Sequence, residues 1–188
     1  MARLKSPEKR SAILQAAVHE IAEAGLGAPT AKIARRAGVA EGTLFTYFAN
    51  KEELLNELYL ELKGEAFARV NANFPHKASL QERAWHVWST YLDWTMDYPE
   101  KRKTSAQLSV SDIVTPETRA KTASVSGVID PTLKELEARE PLKGLPAGFA
   151  AAMMAAMQEA TMNFIVKHPK QRKELTERGF EVYWHALR

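Results

Sequence analysis

Between Thr30 and Lys51 the sequence gathers hydroxyls, one carboxylate and cations at spacings that suit the groove of a duplex: Thr30, Lys32, Glu41, Gly42, Thr43, Thr46, Tyr47 and Lys51. A threonine hydroxyl can donate to or accept from a base edge while its methyl touches a thymine methyl. Gly42 permits close backbone approach. Tyr47, Thr30 and Lys51 would flank the groove and reach phosphates, which fixes register without reading sequence. Glu41 is the awkward member, because a carboxylate beside phosphates is repelled unless it accepts from a cytosine amine.

Other chemistry finds little support. His19-Glu20-Ile21-Ala22-Glu23 comes near a zinc-protease pattern, but its last position is Glu where a second His is required. His76, His86, His168 and His185 show no close ligand spacing, and no glycine-rich phosphate loop is present. Glu52-Glu53 and the Asp93/Asp97 pair have ordinary helix roles as dipole complements or surface charges. The chain has no cysteine, which excludes a disulfide framework, a thiol nucleophile and any zinc site needing sulfur. No metal, no cofactor and no enzymatic activity are expected.

The elements that must position the first group of residues are short helices. Ser6-Pro7-Glu8 reads as an N-cap, a first-position proline and a first-turn acid, followed by Ile13, Leu14, Ala17, Val18 and Ile21 at helical spacing up to Gly25. Thr30 reads as the N-cap of a second helix ending at Gly38, and Ala40 to Phe48 as a third. Leu44 and Phe48, four apart, can face inward and leave Glu41, Gly42, Thr43, Thr46 and Tyr47 outward. Two short helices joined through Ala37-Gly38-Val39 have the shape of a helix-turn-helix. Asn50 and Glu53 form a capping box for a fourth helix.

Later starts fall at Ser79, at Thr115-Pro116-Glu117 and at Asp130-Pro131, with Pro99 ending the helix begun at Ser79. Pro141 and Pro146 bracket a turn, Ala147 to Val166 is helical, and a last helix follows Pro169. The fold class is all-α, a three-helix head on a bundle of about six helices, with domains at 1–50 and 51–188. Charge divides along the same line. Residues 1–51 hold eight basic and four acidic side chains, a net of +4, while the remainder holds 18 basic and 19 acidic, a net of −1. A basic head on a nearly neutral body suits a polyanion partner.

The run from Thr30 through Ala37-Gly38-Val39-Ala40-Glu41-Gly42-Thr43-Leu44-Phe45-Thr46-Tyr47-Phe48 to Leu55 closely resembles the DNA-binding signature of the TetR family of bacterial transcriptional regulators, together with Ile13, Leu14, Ala16, Ala17 and Gly25 before it. The resemblance covers roughly the first 55 residues. It implies a helical homodimer that binds a near-palindromic double-stranded operator, usually represses, and is released by a small-molecule effector in the larger domain. Carried over by position, Thr30 resembles a phosphate contact, and Glu41, Gly42, Thr43 and Thr46 take base-facing positions. Tyr47 and Lys51 resemble backbone clamps, with Lys32 beside them. Ala40 departs from the common Ser at the recognition-helix N-cap, and Phe45 lacks a hydroxyl where a Tyr often donates to phosphate.

In the body, Ala147 to Val166 is apolar on two arcs, one carrying Phe149, Met153, Met157 and Phe164 and the other Ala151, Ala155, Met162 and Val166. A helix apolar on two sides needs two partners, and the second is expected to be the same helix of another subunit. The final helix makes a similar case, so Ala151, Ala155, Met162, Phe180, Tyr183 and Trp184 are expected at a dimer interface. Trp85, Trp88, Tyr91, Met153 and Met157 are expected to line an apolar pocket for a hydrophobic or aromatic effector. The longest apolar run, Phe149 to Met157, is nine residues, less than half of a bilayer span, and the N-terminus leads into charge. No membrane partner and a cytoplasmic location are expected.

Overall fold

Ser6 begins the described part of the chain, and its hydroxyl accepts a hydrogen bond from the Lys9 N–H, with Pro7 in the first turn behind it. A computed structural model describes residues 6–187, so Arg3 and Lys5 of the basic head lie outside the described residues. Every regular element in that span is helical: α1 (Pro7–Ala24), α2 (Thr30–Arg36), α3 (Glu41–Tyr47), α4 (Lys51–Asn71), α5 (Leu80–Asp97), α6 (Pro99–Ser109), α7 (Pro116–Ser124), α8 (Ile129–Glu137), α9 (Phe149–Lys167), a 3-10 turn (Pro169–Gln171) and α10 (Arg172–Ala186). The all-α reading therefore stands, with seven rather than about six α-helices after the head.

Local chemistry explains where the boundaries agree and where they move. Asn50 accepts from the Glu53 N–H at 2.8 Å, and the Glu53 carboxylate accepts from the Ala49 N–H, one residue earlier than a symmetric capping box requires. Ser79 and Glu82 cap α5 reciprocally, at 2.9 and 3.3 Å. Thr30 is not an N-cap. Pro29 holds that place in an extended conformation, so Thr30 is the first helical residue and its hydroxyl is free for other work. Helix α8 starts at Ile129, before the expected Asp130-Pro131, because Asn71 accepts from the Val128 N–H at 2.8 Å and sets the start there. The chain turns through Gly127 at φ +62°, where a Cβ would lie 2.3 Å from the Asn71 side chain. Helix α6 was not expected: Pro99 ends α5 and also opens α6.

The helices pack into two compact units. The first comprises the chain up to Gly64 together with Tyr98–Thr122, and the second comprises Glu65–Asp97 and the chain from Ala123 on. In the first, Ile13, Leu14, Ala17 and Ile21 of α1 join Ile33 of α2, Leu44 and Phe48, and Leu54, Leu55, Leu58 and Leu62 of α4 in one apolar core. Helix α6 lies on α1, and the buried Thr104 hydroxyl donates to the Val18 carbonyl at 3.0 Å. In the second unit Trp88 is fully buried, stacks on Tyr183 at 5.9 Å and donates its indole N–H to the Thr176 carbonyl at 3.0 Å. Phe180 lies edge-on to Trp85 at 5.2 Å and stacks on Trp184 at 6.0 Å, so α5 and α10 are joined through rings.

Removing the central ring should be costly. Trp88→Ala is expected to lower unfolding free energy by about 3–5 kcal/mol, the range for deleting a large core aromatic. Urea denaturation followed by far-ultraviolet circular dichroism measures it, and an unchanged midpoint would remove Trp88 from the core.

Candidate nucleic-acid interface

Helix α3 is held from below by its two apolar residues. Leu44 is fully buried and Phe48, just after the helix, is 1% exposed, so Glu41, Gly42, Phe45 and Thr46 are turned outward with Thr43 and Tyr47 half-buried beside them. The connection to α2 bends through Gly38 at φ +69°, a conformation that favours glycine. No side chain caps α3, as the alanine at position 40 implied.

The hydroxyls on this face are in different states. Thr46 donates to the Gly42 carbonyl one turn back at 3.1 Å. The Thr43 hydroxyl has no partner among the described residues. Tyr47 accepts from the Ser6 N–H at 2.9 Å, which leaves its own proton free and pins the start of α1 to the end of α3. Thr30 donates to the Glu41 carboxylate at 2.6 Å. Phe45 is 41% exposed and carries no hydroxyl.

Cations separate into two groups. Arg10 bonds Glu57 at 2.5 Å and Glu61 at 3.0 Å and sits 5.7 Å from the Phe48 ring centre. Arg36 bonds Glu20 at 2.6 Å, with Glu23 at 3.9 Å. These two are structural. Lys9, Lys32, Arg35 and Lys51 make no ion pair among the described residues and remain available to phosphates. Lys9 and Arg35 counted only towards charge in the sequence. Arg10 could have been singled out, because Glu53, Glu57, Glu61 and Glu65 repeat every four residues on α4. Like charges at that spacing repel on an isolated helix and call for an external cation.

The second unit corrects the expected dimer residues. Met162, Phe180, Tyr183 and Trp184 are buried in their own unit's core, at 2%, 4%, 0% and 6% exposure, so they present no surface to a partner. Periodicity locates an apolar face without saying which core it fills. Ala151 is half-buried against the same core, while Ala155 is exposed on an arc of α9 with Phe149, Ala152, Ala156, Ala160 and Phe164. Outward positions of α10 are mostly charged, with Val182 the large apolar exception.

The five residues expected to line a pocket all lie in or against the core of the second unit. Trp85, Tyr91, Met153 and Met157 are half-buried against the core that Trp88 fills. Trp88 itself is core rather than wall. An open groove of about 440 Å³ runs beside α5 and the start of α10, and of the five only Trp85 lines it, with Ser89, Asp93, Arg172 and Thr176. Its polar rim was not expected.

Among the described residues no helix is long and apolar enough to cross a membrane. No group of three or more His, Asp or Glu able to hold a metal ion is found among them either.

Two short helices at a glycine turn, the second showing a polar face beside unpaired cations, define a helix-turn-helix motif. Residues 13–58 match the family described as bacterial regulatory proteins, tetR family. The Fatty acid metabolism regulator protein of Bacillus subtilis (strain 168) is 41% identical over 81 residues, 43% of this chain and 42% of that protein. The chain thus matches less than half the length of that curated relative. A crystal structure assigned to a tetR family transcription regulator from Shewanella sp. PV-4 is 29% identical, with a TM-score of 0.80 over 95% of this chain and 97% of that one. The transcriptional regulator FadR from Bacillus subtilis, solved in complex with stearoyl-CoA, is 25% identical, with a TM-score of 0.70 over 92% and 96% of the two chains. Residues 13–58 thus match the tetR family model, and the fold over nearly the whole chain is similar to that of tetR family transcription regulators.

The Arg36 clamp carries a pH dependence. Glu20 is buried, and the Arg36 guanidinium bonded to it holds its carboxyl below the usual carboxylate range. A carboxyl whose folded pKa lies below its unfolded value stabilises the fold above the unfolded value, and that contribution is lost as pH falls through the folded one. Melting temperature is therefore expected to drop below about pH 4 more steeply in the wild type than in Glu20→Gln. Parallel thermal melts at several pH values test this, and identical acid profiles would show that the clamp contributes nothing.

Proposed function

We propose that the protein binds a near-palindromic operator as a homodimer through the 1–50 head, represses transcription there, and is released by a small hydrophobic or aromatic effector held in the 51–188 body. The outward face of α3, with Lys9, Lys32 and Arg35 of the head and Lys51 just after it unpaired among the described residues, carries this reading. Thr43, Thr46, Gly42 and Glu41 face the bases, and Thr30, Lys32, Tyr47 and Lys51 reach phosphates. Half-sites about one helical turn apart fit a two-fold dimer.

For the second subunit the exposed arc of α9 is favoured over α10. Ala152, Ala155, Ala156 and Ala160 let two backbones approach, and Phe149 and Phe164 at its margins add apolar area. Trp85, Tyr91, Met153 and Met157 support a hydrophobic effector, and the similarity to a FadR solved with stearoyl-CoA makes that thioester the first compound to test. The alternative is an architectural DNA-binding protein without a ligand. Selection of fragments from the source genome separates the two, since a regulator returns a few sites and an architectural protein many unrelated ones.

On a selected duplex, fluorescence anisotropy against salt should give a steep log–log slope. Lys51→Ala is expected to lower that slope by about one and to weaken all sequences alike. A changed base preference would instead place Lys51 at the bases. Ala155→Glu is expected to yield monomers with reduced operator affinity in sedimentation and binding measurements. An intact dimer would move the interface away from this arc.

A further inference from the structure

We infer that Glu41 sets sequence specificity by exchange: in the free protein its carboxylate holds the Thr30 hydroxyl where a backbone phosphate would sit, and duplex binding moves it to a base edge. The inference rests on the DNA-binding reading above. Thr30 and Glu41 are the first residues of α2 and α3, and Thr30 Oγ1 donates to Glu41 Oε1 at 2.6 Å. A hydroxyl has one proton and can serve one anion at a time. Carboxylate and phosphate oxygens are equivalent acceptors for it, each making a short charge-assisted bond. A phosphate contact through Thr30 must therefore displace Glu41.

Displacement leaves the carboxylate stranded. Glu41 has no ion pair and no hydrogen-bond partner other than Thr30 among the described residues. On α3, Gly42 and Phe45 supply no side-chain donor, the Thr46 proton is directed to the Gly42 carbonyl, and the Thr43 hydroxyl, uncommitted in the free protein, is engaged at a base edge in the proposed complex. In the major groove the fitting donor is the exocyclic amine of cytosine. Where a cytosine is in reach, phosphate replaces carboxylate on Thr30 and the amine replaces Thr30 on Glu41, so both bonds are kept. Elsewhere the carboxylate is left bare among phosphates. Discrimination then comes from the penalty on wrong sites more than from attraction to the right one.

The exchange is specific enough to separate from a simple staple between α2 and α3. The probes are a duplex selected by the wild-type protein from its source genome, the same duplex with each base pair of one half-site changed in turn, and a scrambled duplex of equal composition. Glu41→Gln and Glu41→Ala are expected to bind the scrambled duplex about tenfold more tightly and to flatten preference at one C·G pair. Thr30→Val is expected to weaken binding more in the Glu41→Ala background than in the wild type, because only there is the hydroxyl already free. Thermal melts should show both Glu41 variants as stable as the wild type, since the pair is exposed. An unchanged cognate-to-scrambled ratio in both variants overturns the specificity role. Additive effects of Thr30→Val and Glu41→Ala overturn the exchange, and lowered melting temperatures with unchanged specificity assign the pair to stapling. A wild-type protein that selects no duplex fails at the DNA-binding reading itself, a result distinguishable from all of these.

Discussion

A seven-residue helix does not hold its shape alone in water, because its nucleation cost is not recovered over two turns. The surface proposed to read DNA is built on two such helices, α2 and α3. Their geometry must come from longer neighbours. Helices α1 and α4 supply it through the shared core of Ile13, Leu14, Leu54, Leu55 and Leu58, on which Ile33, Leu44 and Phe48 close. Arg10 fixes the α1–α4 pairing by bridging Glu57 and Glu61, and the Tyr47 hydroxyl ties the end of α3 to the first turn of α1. Hydrophobic contact sets how closely the helices approach. The directional polar bonds set their register.

The same bonds sort the head's charge. Arg10 and Arg36 are spent on internal carboxylates, so the cations left for a polyanion are Lys9, Lys32, Arg35 and Lys51 among the described residues. A formal count of positive charge thus overstates what an outside partner feels. It also hides that one acid on the reading face, Glu41, is satisfied by a hydroxyl rather than by a cation.

Much of the head was legible in the sequence because its signals are local. Ser6-Pro7 announces α1, and the four-residue spacing of Leu44 and Phe48 assigns the two faces of α3. What escaped depends on contacts distant in the chain. Helix α6 carries the sequence PEKRKTSAQLS, which has no apolar stripe, and it is buried through Thr104, Ser105 and Leu108. Its hydroxyls find partners that no periodicity announces, such as the Val18 carbonyl 86 residues earlier. The last helix shows the opposite failure. Phe180, Tyr183 and Trp184 form a strong apolar face, but they fill their own unit, while Ala155 is exposed on α9 with Phe149 and Phe164.

Helix α4 spans 21 residues, and it belongs to the first unit as far as Gly64 while its last residues belong to the second. Tyr98–Thr122 also packs with the head although it follows it by some distance in the chain. The head is therefore not a cassette. A recombination between two related genes at residue 50 would carry the reading helices without Glu57, Glu61 and Thr104, the groups that hold them in register. Under the proposed function, new pairings of operator and effector in such a lineage are then more readily reached by point changes on exposed faces than by exchange of whole segments.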